Sequence, residues 1–288
     1  MRSIIRSAAL VLLTGLFLAL LPSPCRGQNS SVPASYTPRP FSDGEVLRYA
    51  VRWKFIRLGS IVIRQESQQA GSRMLMRVRM MAKSASGLPF IDVRLRNQAL
   101  LQPAFPHCLD FSMKTEHDPA ELTRYQLDTS AAILTMELHD REKLISKKTR
   151  KENRRVYDAV GMFMLVRGLA GSGGRTSIPV LIDGEIVESR AHSSAAIEYL
   201  EVPAFPKSLP VTKTVIRSDW VNNAAGGLGG NIDVWCTADG AALPLRAEMG
   251  IAIGSIVLEL EEVQRPGWST QQCAELRDSK TTRQGGAQ

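Results

Sequence analysis

The segment Leu-Arg-Tyr-Ala-Val-Arg-Trp, residues 47–53, alternates apolar and charged side chains along most of its length. Successive side chains of a β-strand point to opposite faces. Leu47 and Tyr49 would therefore share one face, and Arg48 and Arg52 would share the other. A strand with one apolar and one charged face is typical of an antiparallel sheet that covers a core on one side. This segment predicts such a half-buried strand.

The same alternation recurs outward from this segment. Residues 74–80 have a methionine-rich face, and residues 91–96 alternate Ile, Val and Leu with Asp and Arg. Asp183-Gly184 lies between two apolar runs and predicts a hairpin turn, because Gly accepts the positive φ that such turns require. Period-2 alternation or short apolar runs predict further strands at about residues 59–66, 110–116, 122–128, 131–138, 178–182, 185–191, 196–202, 212–220, 231–236, 243–252 and 255–263.

Residues 156–169, VYDAVGMFMLVRGL, break the β pattern. Their apolar side chains would cover nearly every side of an α-helix, which is typical of a buried helix. Asp158 suits the first turn of this helix, and Gly171 suits its end. One helix among many strands excludes an alternating α/β fold. We therefore predict a mainly β fold, with antiparallel, curved or barrel-like sheets wrapped around one buried α-helix.

The start of the chain has the pattern of an export signal. Arg2 and Arg6 precede an apolar run at residues 8–21, which is shorter than the roughly 20 residues of a membrane-spanning helix. We expect residues 1–27 to be a cleaved signal peptide, with lipidation at Cys25 as a rival interpretation. The expected location is the periplasm or the periplasmic face of the outer membrane, with no transmembrane span in the mature chain.

Composition also predicts the domain organisation. Residues 28–40 are rich in Ser and Pro, and residues 268–288 are polar and lack periodicity. We expect a disordered leader at 28–40, a single β-rich domain at 41–267 and a flexible tail at 268–288. Three cysteines follow the signal, and their sequence positions do not select a disulfide pairing. They are Cys108, Cys236 and Cys273.

Positive charge is concentrated at residues 141–155, which hold eight Lys or Arg residues against Glu142 and Glu152. One interpretation is a contact for lipid, lipopolysaccharide or acidic glycan. The alternative is a solvated strand end and loop that leads into the helix. Nucleic acid is disfavoured, because no aromatic residues are interleaved for base stacking. The candidate ligand-binding residues here are Lys147, Lys148, Arg150, Lys151, Arg154 and Arg155.

A second group of candidate ligand-binding residues is the methionine stripe Met74, Met76 and Met80. Methionine fills irregular gaps in cores, and it also lines adaptable apolar binding surfaces. The stripe is therefore expected either to pack in the core or to line a groove for an acyl chain. In both cases the residues would lie on the inner face of the sheet.

The sequence offers no catalytic constellation. It has no Gly-x-Ser-x-Gly elbow, and its four histidines occur in unrelated contexts. Glu116-His117-Asp118 could supply metal ligands, but it lacks the helical spacing of established zinc motifs. We predict no metal, no cofactor and no catalytic residues. An enzymatic role stays open but disfavoured.

Three stretches resemble one bacterial family. Residues 41–59 resemble the F-x-x-G-E-x-L-x-Y … W … G opening of domain-of-unknown-function family 3108. Residues 157–167 resemble its central Y-D-x-x-S-x-x-Y-x-L-R helix, except that Gly161 replaces Ser and Phe163 replaces Tyr. Residues 233–255 resemble its closing hairpins. The resemblance implies an exported, β-rich envelope protein with no established activity.

Four charged residues stand in these matching segments or beside them: Glu45, Asp158, Arg167 and Arg246. Buried charges are costly without partners, so we expect an internal ion-pair network, with a ligand contact as the alternative.

The favoured function is a non-enzymatic binding or assembly module for an apolar or anionic envelope ligand, either lipid or glycan. One alternative is an envelope hydrolase of lipid or glycan, with Glu45, Glu116, His117 and Asp118 as its loosely plausible acid–base groups. Another is a structural partner of a second envelope protein.

Overall fold

The computed structural model describes residues 41–88, 92–104, 106–116, 121–182, 184–218, 221–222, 228–251 and 254–271. The predicted signal peptide and leader, residues 1–40, lie outside the described residues, as does the tail beyond residue 271. The individual predictions for Cys25, His117, Asp118, Asp183 and Cys273 also fall outside them.

Within the described residues the chain forms seventeen strands and one helix, α1, at Ala159–Leu169. The strands are β1 (Val46–Trp53), β2 (Ile56–Ala70), β3 (Arg73–Ser84), β4 (Arg94–Leu101), β5 (Cys108–Thr115), β6 (Glu121–Asp128), β7 (Ile133–Asp140), β8 (Lys143–Lys151), β9 (Arg175–Ile182), β10 (Glu185–Ser193), β11 (Glu198–Leu200), β12 (Leu209–Ser218), β13 (Val221–Asn222), β14 (Leu228–Gly229), β15 (Ile232–Thr237), β16 (Pro244–Ile251) and β17 (Gly254–Gln264). The predicted mainly β class is confirmed. So is the predicted helix, although it begins three residues later than expected.

Fifteen of the strands form one antiparallel sheet in the order β8-β7-β6-β5-β4-β3-β2-β1-β17-β16-β15-β12-β10-β9, with β11 paired to β12. Strands β13 and β14 form a separate pair. The first and last strands of the order, β8 and β9, are not bonded to each other, so the sheet is not closed. Among the described residues, no helix has the length and apolar character needed to cross a bilayer.

The two ends of this open sheet are connected by other contacts. The Gly184 amide, in the β9–β10 turn, donates to the Tyr125 hydroxyl of β6 at 3.1 Å. In a second contact, the Cys108 amide at the start of β5 donates to the Val156 carbonyl oxygen. The next residue, Tyr157, forms a parallel bridge with Val180 of β9. The segment between β8 and α1 therefore links β5 to β9 across the gap in the sheet.

The helix begins at Asp158, whose carboxylate accepts hydrogen bonds from the amides of Val160 and Gly161. This is an N-cap, which satisfies amides that have no partner within the helix. A Cβ atom at Gly161 would lie 2.7 Å from the Pro106 carbonyl oxygen. Glycine thus permits α1 to approach the β4–β5 connection closely.

The basic run at residues 141–155 contains a mostly exposed strand and the connection that leads into α1, as one interpretation expected, but the strand is longer than the strand end of that interpretation. Residues 143–151 form β8, an edge strand of the sheet that pairs with β7 over its whole length. A lysine-rich edge strand is a common way to prevent edge-to-edge association, because its charges repel another sheet. Pairing with β7 determines how far this strand extends, which local charge does not indicate.

Candidate functional site

One face of the sheet and one side of α1 enclose a cavity of about 870 Å³. Residues in register across four neighbouring strands supply part of its wall. Val51 of β1 is beside Leu258 of β17, which is beside Ala247 of β16, and Ala247 is beside Val234 of β15. On the other side of β1, the wall continues through β2 to β8. The helix contributes Ala159, Met162, Phe163 and Val166. Most of the lining is apolar.

The helix closes one end of this cavity. Phe163 packs edge-on against Tyr49, with ring centroids 6.4 Å apart and an interplanar angle of 84°. The Tyr49 hydroxyl donates to the Pro244 carbonyl oxygen at 2.8 Å. Tyr49 thus contacts both α1 and the start of β16, and these contacts hold the helix against the sheet.

The opposite end of the cavity, here called the rim, reaches solvent. Lys83 and Leu138 line the cavity near this end and are also exposed. The turns β1–β2 and β7–β8 lie at this end, since both join the strand ends that are farthest from α1. They carry large exposed apolar residues, with Phe55 87% exposed and Ile145 54% exposed. The rim thus combines apolar and cationic side chains.

The three candidate methionines lie at different depths on β3. Met80 lines the cavity, whereas Met76 is buried in the core beside it. Met74 is 53% exposed and lies at the β2–β3 turn. They share a face of the strand, as expected, but only Met80 reaches the cavity, because the three residues differ in position along the strand.

The candidate cations of β8 and of the segment that follows it have different surroundings. Lys148 lines the cavity, and Lys147 lies on the other face of β8, where it bonds Glu137 at 2.9 Å. Arg150 and Arg154 instead bind the buried carboxylate of Glu152.

Burial alone would raise the pKa of Glu152, but hydrogen bonds from these two arginines lower it to about 2. Arg154 also bonds Glu188 of β10 at 2.9 Å and so connects the two ends of the sheet. Lys151 is exposed, and the positive charge of Arg155 acts on Tyr157.

Two of the four polar candidates meet in a buried ion pair. Arg167 donates to Glu45 through Nη1 at 2.6 Å and Nη2 at 3.1 Å, and it also donates to the Ala241 carbonyl oxygen. Arg265 and Gln65 contact the same carboxylate. Burial would raise the pKa of Glu45, yet the two arginines hold it below its ordinary value.

The other two polar candidates lie elsewhere. Asp158 caps α1, and burial raises the pKa of its carboxyl group despite the two amide hydrogen bonds. Arg246 bonds Glu248 at 2.6 Å, and it is also one of the residues that line the cavity. Arg265 was not among the sequence candidates, because it follows the last alternating residues of β17 and only the fold brings it to Glu45.

The two acid–base candidates that the structure describes, Glu45 and Glu116, belong to separate ion pairs. Glu116 contacts Arg96, and Glu45 is engaged in the buried ion pair. In the part of the chain that the structure describes, no three His, Cys, Asp or Glu side chains are grouped as metal ligands. Cys108 is a buried free thiol, and burial raises its pKa well above the ordinary value. Cys236 is buried as well.

The family described as "Protein of unknown function (DUF3108)" matches residues 48–261. The chain belongs to this family. Comparison with curated proteins gives no significant match. Among solved structures, this DUF3108 protein is similar to a β-barrel-like protein of domain of unknown function DUF1849 from Brucella abortus, with 9% identity and a TM-score of 0.53. That match covers 80% of this chain and 100% of the other, and it supports the barrel-like architecture.

Two weaker structural matches involve other bacterial proteins. One is a protein inferred to be exported, with a YmcC-like fold, from Bacteroides fragilis, at 10% identity and a TM-score of 0.34. The other is a protein inferred to be a lipoprotein, from Parabacteroides distasonis, at 10% identity and a TM-score of 0.35. Each match covers 80% of this chain and 99% of the other.

Proposed function

We propose that this DUF3108 protein is a non-enzymatic envelope protein that binds a lipid through an acyl chain held in the cavity. The observation that carries the proposal is an apolar cavity of about 870 Å³ that α1 closes at one end and that opens at the rim. In this proposal the curved sheet wraps around α1, and the helix forms the floor of a cup.

The size and lining of the cavity suit an acyl chain. Ligand sites in proteins commonly measure about 300–1,000 Å³ and have mostly apolar walls. Each methylene buried contributes about 0.8 kcal/mol, so about ten methylenes would contribute about 8 kcal/mol before the cost of ordering the chain. A glycan would leave its hydroxyl groups facing Val51, Leu95 and Phe111 without partners, which is unfavourable.

The headgroup would lie at the rim, beside the end of β3. Lys83 lines the cavity there, Lys148 lines it farther along β8, and both side chains are exposed. These ammonium groups complement an anionic lipid headgroup, and exposed Phe55 and Ile145 would contact the apolar layer of a membrane from which the lipid is taken. Lys147 and Lys151 lie on the other face of β8 and are not part of this site. Arg150 and Arg154 are assigned a structural role, because they bind Glu152.

Export is part of the proposal. The charged and then apolar pattern of residues 1–27 supports a signal peptide, which would place the domain at residues 41–267 in the periplasm or on the periplasmic face of the outer membrane. Lipids with anionic headgroups are present there, so the proposed location and ligand agree.

A pair of variants on β3 tests the cavity. Ala82 lines the cavity, whereas its neighbour Met81 points to the outer face. Ala82→Trp should fill part of the cavity, because the indole occupies the volume of several methylenes. The affinity for stearate, measured by displacement of a fluorescent fatty acid, should fall at least tenfold. Met81→Trp should leave the affinity unchanged. Equal affinity of Ala82→Trp and the wild-type protein, or no binding by the wild-type protein, would contradict the proposal.

The same assay with anionic lipid tests the headgroup site. Replacing Lys83 and Lys148 by Gln should weaken phosphatidylglycerol binding several-fold and remove most of its salt dependence. The affinity for a neutral monoacylglycerol should not change. An equal loss of affinity for phosphatidylglycerol and for the monoacylglycerol would show that these lysines do not bind the headgroup.

A further inference from the structure

Asn97 is a polar residue on the apolar inner face of the sheet. It lies in β4 between Leu95 and Ala99, both buried on the same face, and it is itself 3% exposed. An amide at such a position needs hydrogen-bond partners, since buried polar groups are nearly always paired in folded proteins.

The amide of Asn97 has no such partners. Among the described residues, neither Nδ2 nor Oδ1 of Asn97 accepts or donates a hydrogen bond. Leucine would fill a similar volume here without this cost, so the amide is unfavourable for the fold alone. Its presence is explained if a group from outside the chain pairs with it.

The neighbours of Asn97 connect it to the cavity. Met80 of β3 and Met113 of β5 lie in register on its two sides, and both line the cavity. The unbranched side chain of methionine adapts readily to a neighbour, so a ligand in the cavity can reach the amide between them. Asn97 lies three residues from the rim end of β4 at Arg94, a depth of about 10 Å at about 3.3 Å per residue.

We propose that Asn97 is a specificity residue that binds a hydroxyl group carried partway along the apolar chain of the ligand. This inference rests on the proposed function. The amide offers one donor, Nδ2, and one acceptor, Oδ1, and a hydroxyl group both accepts and donates. An ester oxygen only accepts, and a carboxylate would bring an uncompensated charge to this depth.

The depth of Asn97 also selects the position of the hydroxyl group. With the headgroup at the rim, a hydroxyl beside it lies too far from the amide, whereas a mid-chain hydroxyl lies at the level of Met80 and Met113. The ligand class is therefore a long-chain lipid with a mid-chain hydroxyl.

Competition binding with three fatty acids tests the inference: stearate, 2-hydroxystearate and 10-hydroxystearate. The wild-type protein should bind 10-hydroxystearate at least tenfold more tightly than either of the others. Asn97→Leu should abolish this preference and bind stearate at least as well as the wild-type protein does. Asn97→Ala serves as a second variant if leucine prevents folding. Gln98→Leu, which removes an amide from the exposed outer face of the same strand, should retain the preference.

The outcomes separate this inference from the function on which it rests. If the wild-type protein binds stearate and 10-hydroxystearate equally, or if Asn97→Leu keeps the preference, the role of Asn97 is refuted while fatty-acid binding stands. If none of the three fatty acids binds, the proposed function fails and the role of Asn97 fails with it.

Discussion

The buried ion pair between β1 and α1 leads to a quantitative prediction for the stability of the fold. The side chains of Glu45 and Arg167 are 0% and 2% exposed, and their charge-assisted contact joins the first strand to the helix. In Glu45→Gln the amide keeps one acceptor oxygen but loses the negative charge. Arg167 and Arg265 would then remain close together without a carboxylate.

The expected cost follows from the burial of these groups. Removing one partner of a buried ion pair typically destabilises a protein by about 3–5 kcal/mol, because the other charge stays buried without compensation. We expect Glu45→Gln to fall in this range. Arg167→Met should cost less, about 2–3 kcal/mol, because Arg265 still contacts the Glu45 carboxylate.

Urea unfolding followed by tryptophan fluorescence measures these free energies. The double variant Glu45→Gln/Arg167→Met should be more stable than the sum of the two single effects predicts, by about 1–3 kcal/mol. Arg167 is then no longer buried without a carboxylate, and only Arg265 is left without one. A loss below about 1 kcal/mol for Glu45→Gln, or strict additivity in the double variant, would refute the view that this pair is a desolvated unit.

Two further predictions concern packing and pH. Gly161→Ala should lower the free energy of unfolding by about 1–3 kcal/mol, because the new methyl group would meet the Pro106 carbonyl oxygen at 2.7 Å; Gly250→Ala, with nothing within 4 Å of the added atom, is the control and should change thermal stability little. The lowered pKa values of Glu45 and Glu152 should stabilise the protein above pH 4.5, and this stability should be lost as the pH falls towards 2, where the carboxylates take up protons. Glu152→Gln should remove about 1–3 kcal/mol of that acid-dependent stability in urea titrations at pH 7 and pH 3, and an unchanged acid profile would contradict the assignment.

Local patterns predicted much of the secondary structure correctly. The alternation around Tyr49 produces β1, and the apolar run after Asp158 produces α1. Both depend on interactions within a few residues, namely the face of a strand and the cap of a helix. At residues 141–155 the expected strand end is a whole strand, Lys143–Lys151, because cross-strand pairing with β7 extends it beyond what local charge indicates.

The components of the candidate site were less accessible from the sequence. The methionine face of β3 indicated Met80 as a residue of the cavity. Met74 shares that face but lies outside the cavity, because position along the strand decides which residues the cavity reaches, and that depends on where the sheet meets α1. Asn97 was missed because the alternation appeared to end at residue 96. The continued pattern of Leu95, Ala99 and Leu101 is the signal that extends β4 across it.

By itself, the sequence determined that the part of the chain described by the structure is mainly β and contains one buried helix, since the periodicity of apolar residues reflects which faces avoid water. It also determined the charged positions whose burial requires partners. Only the tertiary structure decided the order of the strands, the partnership of Glu45 with Arg167 and Arg265, and the cavity between the sheet and α1. Those features join residues far apart in the chain, and their geometry depends on how the whole sheet curves, which no local pattern encodes.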